Sequence, residues 1–316
     1  MTQFAFVFPG QGSQAVAMMA GFNGNPVVEQ TIAEASDALQ FDLGKLIAEG
    51  PKEDLDLTTN TQPVMLTAAV AVYRAWIAAG GPLPAIVAGH SLGEYSALVA
   101  AGVIPFKDAV PLVRFRAHAM QEAVPVGQGT MAVVLGLSDE DVRAACAEAV
   151  AAAPGQVVEA VNYNAPAQVV IAGHAAGVDK ACEIAKAKGA KRAMRLPVSA
   201  PFHSSLLKPA SDRLRDYMEN LHFNAPQIDL INNVDVAVLH DPASIKDALV
   251  RQAATPVRWV ETMQKVAAGG ITQVIECGPG KVLMGLTKRI DANLAGDAIT
   301  DQASLERLLA ALKPAG

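Results

Sequence analysis

One short stretch, AIVAGHSLGEYSAL at residues 85–98, restricts the possible folds more than any other part of the sequence. Its apolar start is typical of a buried strand, and the segment after Ser91 has the pattern of a helix. The pentapeptide GHSLG between them matches G-x-S-x-G, a sharp strand-to-helix turn that exposes a serine hydroxyl in α/β enzymes. The stretch therefore predicts a nucleophile elbow with Ser91 as the candidate nucleophile. A serine that only caps the helix is the alternative.

The rest of the chain alternates strand-like runs with helical patterns. FAFVF at 4–8 predicts a buried strand, periodic segments at 27–39 and 62–79 predict helices, and ITQVIECGPG at 271–280 predicts the final buried strand. Strands that alternate with long helices indicate an α/β fold. We therefore predict a body built on a mostly parallel sheet, with a hydrolase-like nucleophile elbow.

Residues 126–197 follow a different order of elements. TMAVVLGL, VVEAVNYN, QVVIAGH and AKRAMRLPV predict strands, and two helices lie between them, the first with Ser138 as N-cap and Asp141 as the acid of a capping box. The order β-α-β-β-α-β is that of the ferredoxin-like motif. We predict a large α/β subdomain formed by 1–125 and 198–316, an inserted ferredoxin-like subdomain at 126–197, and a site in the cleft between them.

The composition argues against several kinds of function. The 316 residues carry a formal net charge of -6 at pH 7, which does not suit a nucleic-acid-binding protein. We expect no membrane segment, because no run reaches ~20 apolar residues and the N-terminus lacks the basic start of a signal peptide. The three cysteines are far apart and the six histidines have no metal-ligand spacing. The sequence therefore predicts a reduced, cytoplasmic protein without a metal site. Nothing in the sequence suggests an obligate oligomer, and we expect a monomer.

A serine nucleophile needs a base, and histidine is the usual one. The candidates are His90, His118, His174, His203, His222 and His240. Three of them, His174, His222 and His240, lie in polar segments and are expected to be solvated. His203, in SAPFHSS, lies where the chain leaves the inserted subdomain, so we expect it at the cleft. On spacing alone, a purely structural histidine is an equal alternative.

The turn PGQGSQA formally matches the dinucleotide-binding pattern G-x-G-x-x-G/A from Gly10 to Ala15. That pattern requires an acid at the end of a second strand about 20 residues later. The nearby acids, Glu29 and Glu34, lie in a helical pattern instead, which argues against a dinucleotide. We favour a turn that supplies backbone N–H groups to the serine site, and a loop without a functional role is the alternative.

Two arginines, Arg114 and Arg116, lie in the mostly apolar helical segment VRFRAHAMQEAV. An arginine in such a helix usually packs its stem on the surface and keeps its head in water. If one of them faces the cleft, its planar guanidinium could hold a carboxylate with two hydrogen bonds. The residue pattern does not tell which one.

Eight segments together resemble one family. FPGQGSQ, GHSLGEYSAL, MQEAVP, NYNAPAQVVIAG, VSAPFHSSLLKPA, INNVD, LVRQ and ECGPGKVL occur in order between about residues 4 and 291, and they are similar to segments of the malonyl-CoA:acyl-carrier-protein transacylases of bacterial fatty acid synthesis. The resemblance implies a ping-pong transfer of malonyl from malonyl-CoA, through Ser91, to the phosphopantetheine thiol of acyl carrier protein. It implies no cofactor, because the partner carries the phosphopantetheine.

The resemblance also implies roles for the catalytic residues. His203 would be the base, oriented by the main-chain carbonyl of Gln252 rather than by a carboxylate. The backbone N–H groups of Gln11 and Leu92 would stabilise the oxyanion.

The substrate-binding residues are likewise implied by the resemblance. Arg116, rather than Arg114, would pair with the malonyl carboxylate, although Ala117 stands where the family commonly has glycine. Gln11 and Asn162 would also contact the substrate. In related polyketide synthase domains, a phenylalanine at the position of Phe202 and an apolar residue after the serine accompany malonyl selection, and Phe202 would fill the space of an α-methyl branch.

Three points stay open at this stage. A basic cluster in the inserted subdomain could be a docking face for an acidic carrier protein or an ordinary solvated surface; it comprises Lys186, Lys188, Lys191, Arg192 and Arg195. An α/β-hydrolase esterase or thioesterase would share the elbow, but it would need a third catalytic acid and no arginine clamp. A non-catalytic subunit that binds a carrier protein is the other alternative.

Overall fold

The computed structural model describes residues 3–312. Residues 1–2 and 313–316 of the predicted large subdomain lie outside the described residues. The strands are β1 (Phe4–Phe8), β2 (Ile86–Gly89), β3 (Gly129–Leu135), β4 (Val158–Ala165), β5 (Gln168–His174), β6 (Arg192–Arg195), β7 (Asp229–Ile231), β8 (Gln273–Cys277) and β9 (Ala295–Ile299). They form two separate sheets.

The helices account for most of the remaining chain. The first six are α1 (Pro26–Leu39), α2 (Leu43–Glu49), α3 (Lys52–Leu55), α4 (Thr58–Ala78), α5 (Gly93–Ala100) and α6 (Phe106–Glu122). The others are α7 (Asp139–Ala152), α8 (Ala175–Ala187), α9 (Lys208–Glu219), α10 (Pro242–Gln252), α11 (Trp259–Ala268), α12 (Val282–Ile290) and α13 (Gln302–Leu312). No helix within residues 3–312 is both long enough and apolar enough to cross a membrane.

The main sheet has five parallel strands in the order β7-β2-β1-β8-β9. Its centre is β1, where all five residues of FAFVF are buried because helices cover both faces. The parallel body predicted from the alternation of strands and helices is therefore confirmed. The carboxyl ends of β7, β2 and β1 lie side by side, which places the loops that follow them at one edge.

The second sheet is antiparallel and has the strand order β4-β5-β3-β6. With α7 after β3 and α8 after β5, it has the connectivity and strand order of the ferredoxin-like motif. One face packs on α7 and α8 to form a core of its own, while Met131, Val161 and Ala172 join the core of the main body. Ser138 is the N-cap of α7, as predicted, and its Oγ accepts a hydrogen bond from Asp141 N–H at 3.1 Å.

Two expectations about the elements were wrong. The strand at 271–280 is not the last one, because β9 follows it and pairs in parallel with β8 at the sheet edge. The helix expected at 62–79 begins at Thr58 and contains Pro63 in its second turn, where the proline removes one i→i−4 hydrogen bond. The sequence pattern also predicts helices around 208–220 and near 244–252, which correspond to α9 and α10, but it predicts no elements at α2, α3, α11, α12 and α13.

Candidate active site

Three loops converge at the carboxyl edge of the main sheet. The loop after β1 carries Gln11, the turn after β2 carries Ser91, and the segment after β7 carries Asn233. Because β7, β2 and β1 are adjacent and parallel, these loops lie next to one another above the sheet. Ligands of open α/β sheets bind at this edge.

The turn at Ser91 requires glycine on both sides of the serine. A Cβ added at Gly89 would lie 1.9 Å from the carbonyl carbon of Gly93, and one added at Gly93 would lie 2.0 Å from the carbonyl oxygen of Phe8. Strand β2, helix α5 and strand β1 therefore approach each other more closely than any side chain permits. Ser91 itself has a φ of +52°, which is uncommon for a residue with a side chain and occurs mainly in tight turns and functional sites.

The hydroxyl of Ser91 meets the imidazole of His203. Ser91 Oγ lies 2.7 Å from His203 Nε2, although the residues are 112 positions apart in the sequence. His203 is 3% exposed and has a φ of +65°, so its backbone is also left-handed. The turn that holds it is stabilised by Ser204, whose hydroxyl donates to the carbonyl of Pro201.

The hydrogen bond at the second imidazole nitrogen determines which tautomer His203 adopts. His203 Nδ1 lies 2.9 Å from the backbone carbonyl oxygen of Gln252. A carbonyl only accepts, so Nδ1 carries the hydrogen and Nε2 is left with a lone pair that accepts from Ser91. Burial lowers the pKa of His203 to about 3, and the positive charge of Arg116 acts in the same direction. The imidazole is therefore neutral near pH 7.

Arg116 reaches the same point from α6. Its side chain is 1% exposed, and its guanidinium donates to Gln62 Oε1 at 2.8 Å, to Gln252 Oε1 at 2.9 Å and to Ser91 Oγ at 3.2 Å. All three acceptors are uncharged, and Nε–H has no partner among the described residues. A buried guanidinium that is paired only with neutral oxygens is suited to a carboxylate ligand. Arg114 instead stacks over Phe41, away from Ser91.

These groups line an open cleft of about 580 Å³. Gln11, Leu92, Asn162 and Phe202 line it as well; Gln11 and Leu92 follow strands of the main sheet, and Asn162 lies in β4 of the small sheet. The Oδ1 of Asn162 is buried without a hydrogen-bond partner within residues 3–312. The backbone N–H groups of Gln11 and Leu92 also donate to no acceptor of the described chain. The cleft thus offers polar groups that a ligand could satisfy.

No other histidine within residues 3–312 forms a hydrogen bond with Ser91 Oγ. The Nε2 of His90 is bonded to Asn164 Oδ1 at 2.8 Å, and its ring edge packs on Trp259. His174 ends β5 rather than lying in a polar loop, and its Nδ1 accepts from the backbone N–H of Val157, so the expectation of a solvated residue was wrong there. His118, His222 and His240 are exposed.

The predicted basic cluster is only partly engaged in ion pairs. Arg195 pairs with Asp179 and Lys188 with Glu148, both within the small sheet unit. All five residues of the cluster, Lys186, Lys188, Lys191, Arg192 and Arg195, are exposed.

Three residues of the site were missed by the sequence analysis. Gln62 accepts a hydrogen bond from Arg116, and Asn233 accepts one from the backbone N–H of Ser91. Glu94 is a buried carboxylate that accepts hydrogen bonds from Gln252 and Asn233. Glu94 and Asn233 lie within the segments GHSLGEYSAL and INNVD, so the signal was present but carried no assigned role. The described residues contain no group of three or more His, Cys, Asp or Glu side chains that could hold a metal ion.

Comparisons with known proteins agree with one another. The family model described as "Acyl transferase domain" matches residues 5–314. A malonyl CoA-acyl carrier protein transacylase of Salmonella typhimurium is 54% identical over 310 residues, which cover 98% of this chain and 99% of the relative.

Solved structures give the same picture. The acyl-carrier-protein S-malonyltransferase of Burkholderia pseudomallei is 69% identical, with a TM-score of 0.96 over 98% of this chain and 100% of the other. A malonyl-transacylase solved in complex with a type II PKS acyl-carrier protein is 50% identical, with a TM-score of 0.96 and the same coverage.

Proposed function

The chain belongs to the acyl transferase domain family, and within it to the malonyl CoA-acyl carrier protein transacylases, and we propose that it transfers malonyl from malonyl-CoA to the phosphopantetheine thiol of an acyl carrier protein. The observation that carries the proposal is a single cleft that holds a serine–histidine pair and a buried arginine with only neutral partners. The pair suits acyl transfer, and the arginine suits an acyl group that ends in a carboxylate.

In the first half-reaction, Ser91 attacks the thioester carbonyl of malonyl-CoA. As the Oγ–carbon bond forms, the hydroxyl proton moves to Nε2 of His203, and the carbonyl of Gln252 stabilises the resulting imidazolium through Nδ1–H. The tetrahedral intermediate then breaks its carbon–sulfur bond, and His203 returns the proton to the sulfur of the departing CoA. A malonyl ester on Ser91 remains.

The oxyanion of the tetrahedral intermediate is stabilised by the backbone N–H groups of Gln11 and Leu92. Their location on the cleft, and the absence of other acceptors for them among the described residues, support this role. Leu92 immediately precedes α5, so its N–H also lies at the positive end of that helix. Removal of one such donor typically costs 10²–10³ in rate.

The acyl group is selected by its distal carboxylate and by its width. Arg116 binds the carboxylate, and a charge-assisted hydrogen bond of this kind is worth roughly 1.5–3 kcal/mol, enough to disfavour acetyl. Phe202, which is 8% exposed, occupies the wall where an α-methyl branch would project. Asn162 supplies a buried Oδ1 that lacks a partner within residues 3–312, and we assign it to substrate binding with Gln11.

In the second half-reaction, the phosphopantetheine thiol of the carrier protein is the nucleophile that reacts with the malonyl ester on Ser91. His203 takes the thiol proton, the sulfur attacks the malonyl carbonyl, and the proton passes to Ser91 Oγ as the ester bond breaks. Malonyl leaves on the carrier protein, and the enzyme returns to its starting state.

Two further parts of the proposal concern organisation and location. Residues 126–197 form an inserted subdomain that covers the cleft, which is supported by the separate core of the small sheet. The enzyme acts in the cytoplasm, which is supported by three cysteines that are all buried and free.

Intact-mass measurement after incubation with malonyl-CoA tests the proposal. We expect one malonyl adduct on the wild type, none on Ser91→Ala, and loss of the adduct when carrier protein bearing phosphopantetheine is added, with malonyl appearing on the carrier. Rapid release of free malonate without transfer would instead indicate a hydrolase. A wild type that forms no adduct and only binds the carrier would indicate a non-catalytic subunit.

A further inference from the structure

The buried carboxylate of Glu94 has no part in the mechanism above. Glu94 lies in the first turn of α5, three residues after Ser91, and is 2% exposed. Moving a carboxylate from water into a protein interior is costly unless its oxygens accept hydrogen bonds. Its contacts must therefore explain why it lies beside the candidate nucleophile.

Both hydrogen bonds of Glu94 lead back to the site. Its Oε2 accepts from Gln252 Nε2 at 2.8 Å and from the backbone N–H of Asn233 at 3.1 Å. One carboxylate oxygen is thus the common point of two chains of contacts, one from α10 and one from the segment after β7.

The contacts through Asn233 hold the turn that carries the serine. Asn233 Oδ1 accepts from the backbone N–H of Ser91 at 2.8 Å, and its Nδ2 donates to the carbonyl of Gly89 at 2.7 Å. The amide therefore bonds to both sides of the turn, whose backbone at Ser91 is left-handed. Because Glu94 holds the backbone of Asn233, it also determines the position of the Asn233 side-chain amide.

The contacts through Gln252 reach Arg116 and His203. A carboxylate oxygen only accepts, so the NH₂ of Gln252 must face Glu94 and its Oε1 must face the guanidinium of Arg116, 2.9 Å away. The same NH₂ also donates to the carbonyl of Ser91 at 2.9 Å. The backbone carbonyl of Gln252 orients His203. Without Glu94, the Gln252 side chain would lose one of the hydrogen bonds that hold it in this position.

We propose that Glu94 is a positioning residue whose Oε2 holds Gln252 and Asn233, so that Ser91, His203 and Arg116 keep their mutual geometry, and that it acts through the reach of this oxygen rather than through its charge. This inference rests on the proposed function. Both donors to Oε2 are neutral groups, and an amide oxygen could accept from them equally well. Burial also raises the pKa of Glu94 to about 7, against the opposing effect of these hydrogen bonds, so the neutral acid is accessible near neutral pH.

Two substitutions separate reach from charge. Glu94→Gln keeps the length of the side chain and an acceptor oxygen but removes the charge. Glu94→Asp keeps the charge but withdraws the oxygens by one methylene. We expect Glu94→Gln to keep kcat for malonyl transfer within about threefold of wild type, and Glu94→Asp to lower it at least tenfold with little change in KM.

A second readout does not depend on malonyl chemistry. Phenylmethylsulfonyl fluoride sulfonylates activated serines, and intact mass reports the rate of its reaction with Ser91. We expect the same order, with Glu94→Asp slow and Glu94→Gln close to wild type. If the wild type reacts with this reagent but transfers no malonyl, the proposed function fails while the role of Glu94 is still measured.

Glu276 provides the matched control. It is a second buried glutamate that accepts a hydrogen bond from a backbone N–H, that of Met284, but it does not line the cleft. Glu276→Asp and Glu276→Gln should both keep kcat and the labelling rate within about twofold, whatever their effect on thermal unfolding. The proposal is overturned if Glu94→Asp reacts within twofold of wild type, if Glu94→Gln loses as much as Glu94→Asp, or if the Glu276 pair loses as much as Glu94→Asp.

Discussion

Ser91 and His203 are held in contact although they lie 112 positions apart in the sequence. Their reacting atoms, Oγ and Nε2, are 2.7 Å apart, and both residues have left-handed backbone conformations. Such conformations cost free energy and persist only where surrounding contacts impose them. The contacts here are the close-packed glycines beside Ser91 and the Gln252 carbonyl bonded to His203. The site is therefore organised before any substrate enters.

The first prediction concerns this pair. Replacing His203 with alanine removes the only base within hydrogen-bond reach of Ser91 Oγ among the described histidines. We expect the rate of malonyl adduct formation, followed by intact mass, to fall by about 10²–10⁴, the usual contribution of general base catalysis. His118→Ala, which changes an exposed histidine, is the control and should leave the rate unchanged. An equal effect of both substitutions would remove His203 as the base.

The second prediction concerns selection of the acyl group. Arg116→Ala should lower kcat/KM for malonyl-CoA by about 10–100-fold, because the carboxylate loses a charge-assisted partner. Transfer of acetyl, which has no carboxylate, should be unchanged or faster. Arg116→Lys keeps the charge but not the planar fork, so we expect it to recover malonyl transfer only in part.

Arg114→Ala is the matched control for the clamp, since Arg114 lies two residues earlier on the same helix but stacks over Phe41. It should leave the ratio of malonyl to acetyl transfer as in the wild type. A malonyl preference that survives Arg116→Ala would mean that another group binds the carboxylate.

The sequence predicted the fold well where the hydrophobic pattern was strong. Buried β1 and the alternating strands of the small sheet have unambiguous patterns, and their order determines the ferredoxin-like topology. Strand β9 was missed because AGDAI begins with two exposed residues, Ala295 and Gly296, contains the acid Asp297, and lies at the sheet edge. Edge strands lack the continuous apolar run by which central parallel strands are recognised.

The site was predictable to a different degree. The local pattern identified Ser91, but the pairing with His203 depends on how strands and insert fold together, and spacing alone left it undecided. Family resemblance, rather than the residue pattern, selected Arg116 over Arg114. The buried hydrogen bonds of Glu94 and Asn233 join positions 139 residues apart, and nothing in either local pattern predicts such a contact.

The third prediction concerns pH. Burial, aided by the charge of Arg116, lowers the pKa of His203 from 6.5 to about 3. A base with a lowered pKa stays unprotonated down to lower pH, so the labelling of Ser91 by phenylmethylsulfonyl fluoride should be nearly constant from pH 8 to pH 5. Half-loss near pH 6.5, in protein that circular dichroism shows to be folded, would mean that the imidazole is solvated.

The fourth prediction concerns the width of the acyl pocket. Phe202→Ala removes a buried ring from the cleft wall. We expect kcat/KM for methylmalonyl-CoA to rise relative to malonyl-CoA by about 10-fold or more, since one pocket contact discriminates by ~1–3 kcal/mol. Competition between the two thioesters, read as adduct masses on Ser91, measures the ratio directly. An unchanged ratio would show that other residues exclude the branch.

The last prediction concerns stability, and it follows from Glu276. This carboxyl is fully buried at the end of β8, its Oε2 accepts from Met284 N–H, and its Oε1 has no partner within the described residues. Burial raises its pKa from 4.5 to about 7 despite the backbone hydrogen bonds of α12. Between these pH values the folded chain holds a proton that the unfolded chain has lost. Stability contributed by this group therefore falls as pH rises from about 4.5 to 7.

Glu276→Gln removes this pH dependence while keeping an acceptor for Met284. The melting temperature of the variant minus that of the wild type should therefore increase from pH 5 to pH 8. The titration of Glu94 does not affect this difference, because both proteins contain Glu94. Glu261→Gln is a control of opposite sign, since the hydrogen bond from Arg258 lowers the pKa of Glu261. That carboxylate stabilises the fold above its unfolded pKa, so its loss should be felt more at pH 8 than at low pH. A Glu276→Gln difference that stays constant with pH would mean that Glu276 is ionised in the folded protein throughout this range, and that its surroundings stabilise the charge better than the burial of its oxygens implies.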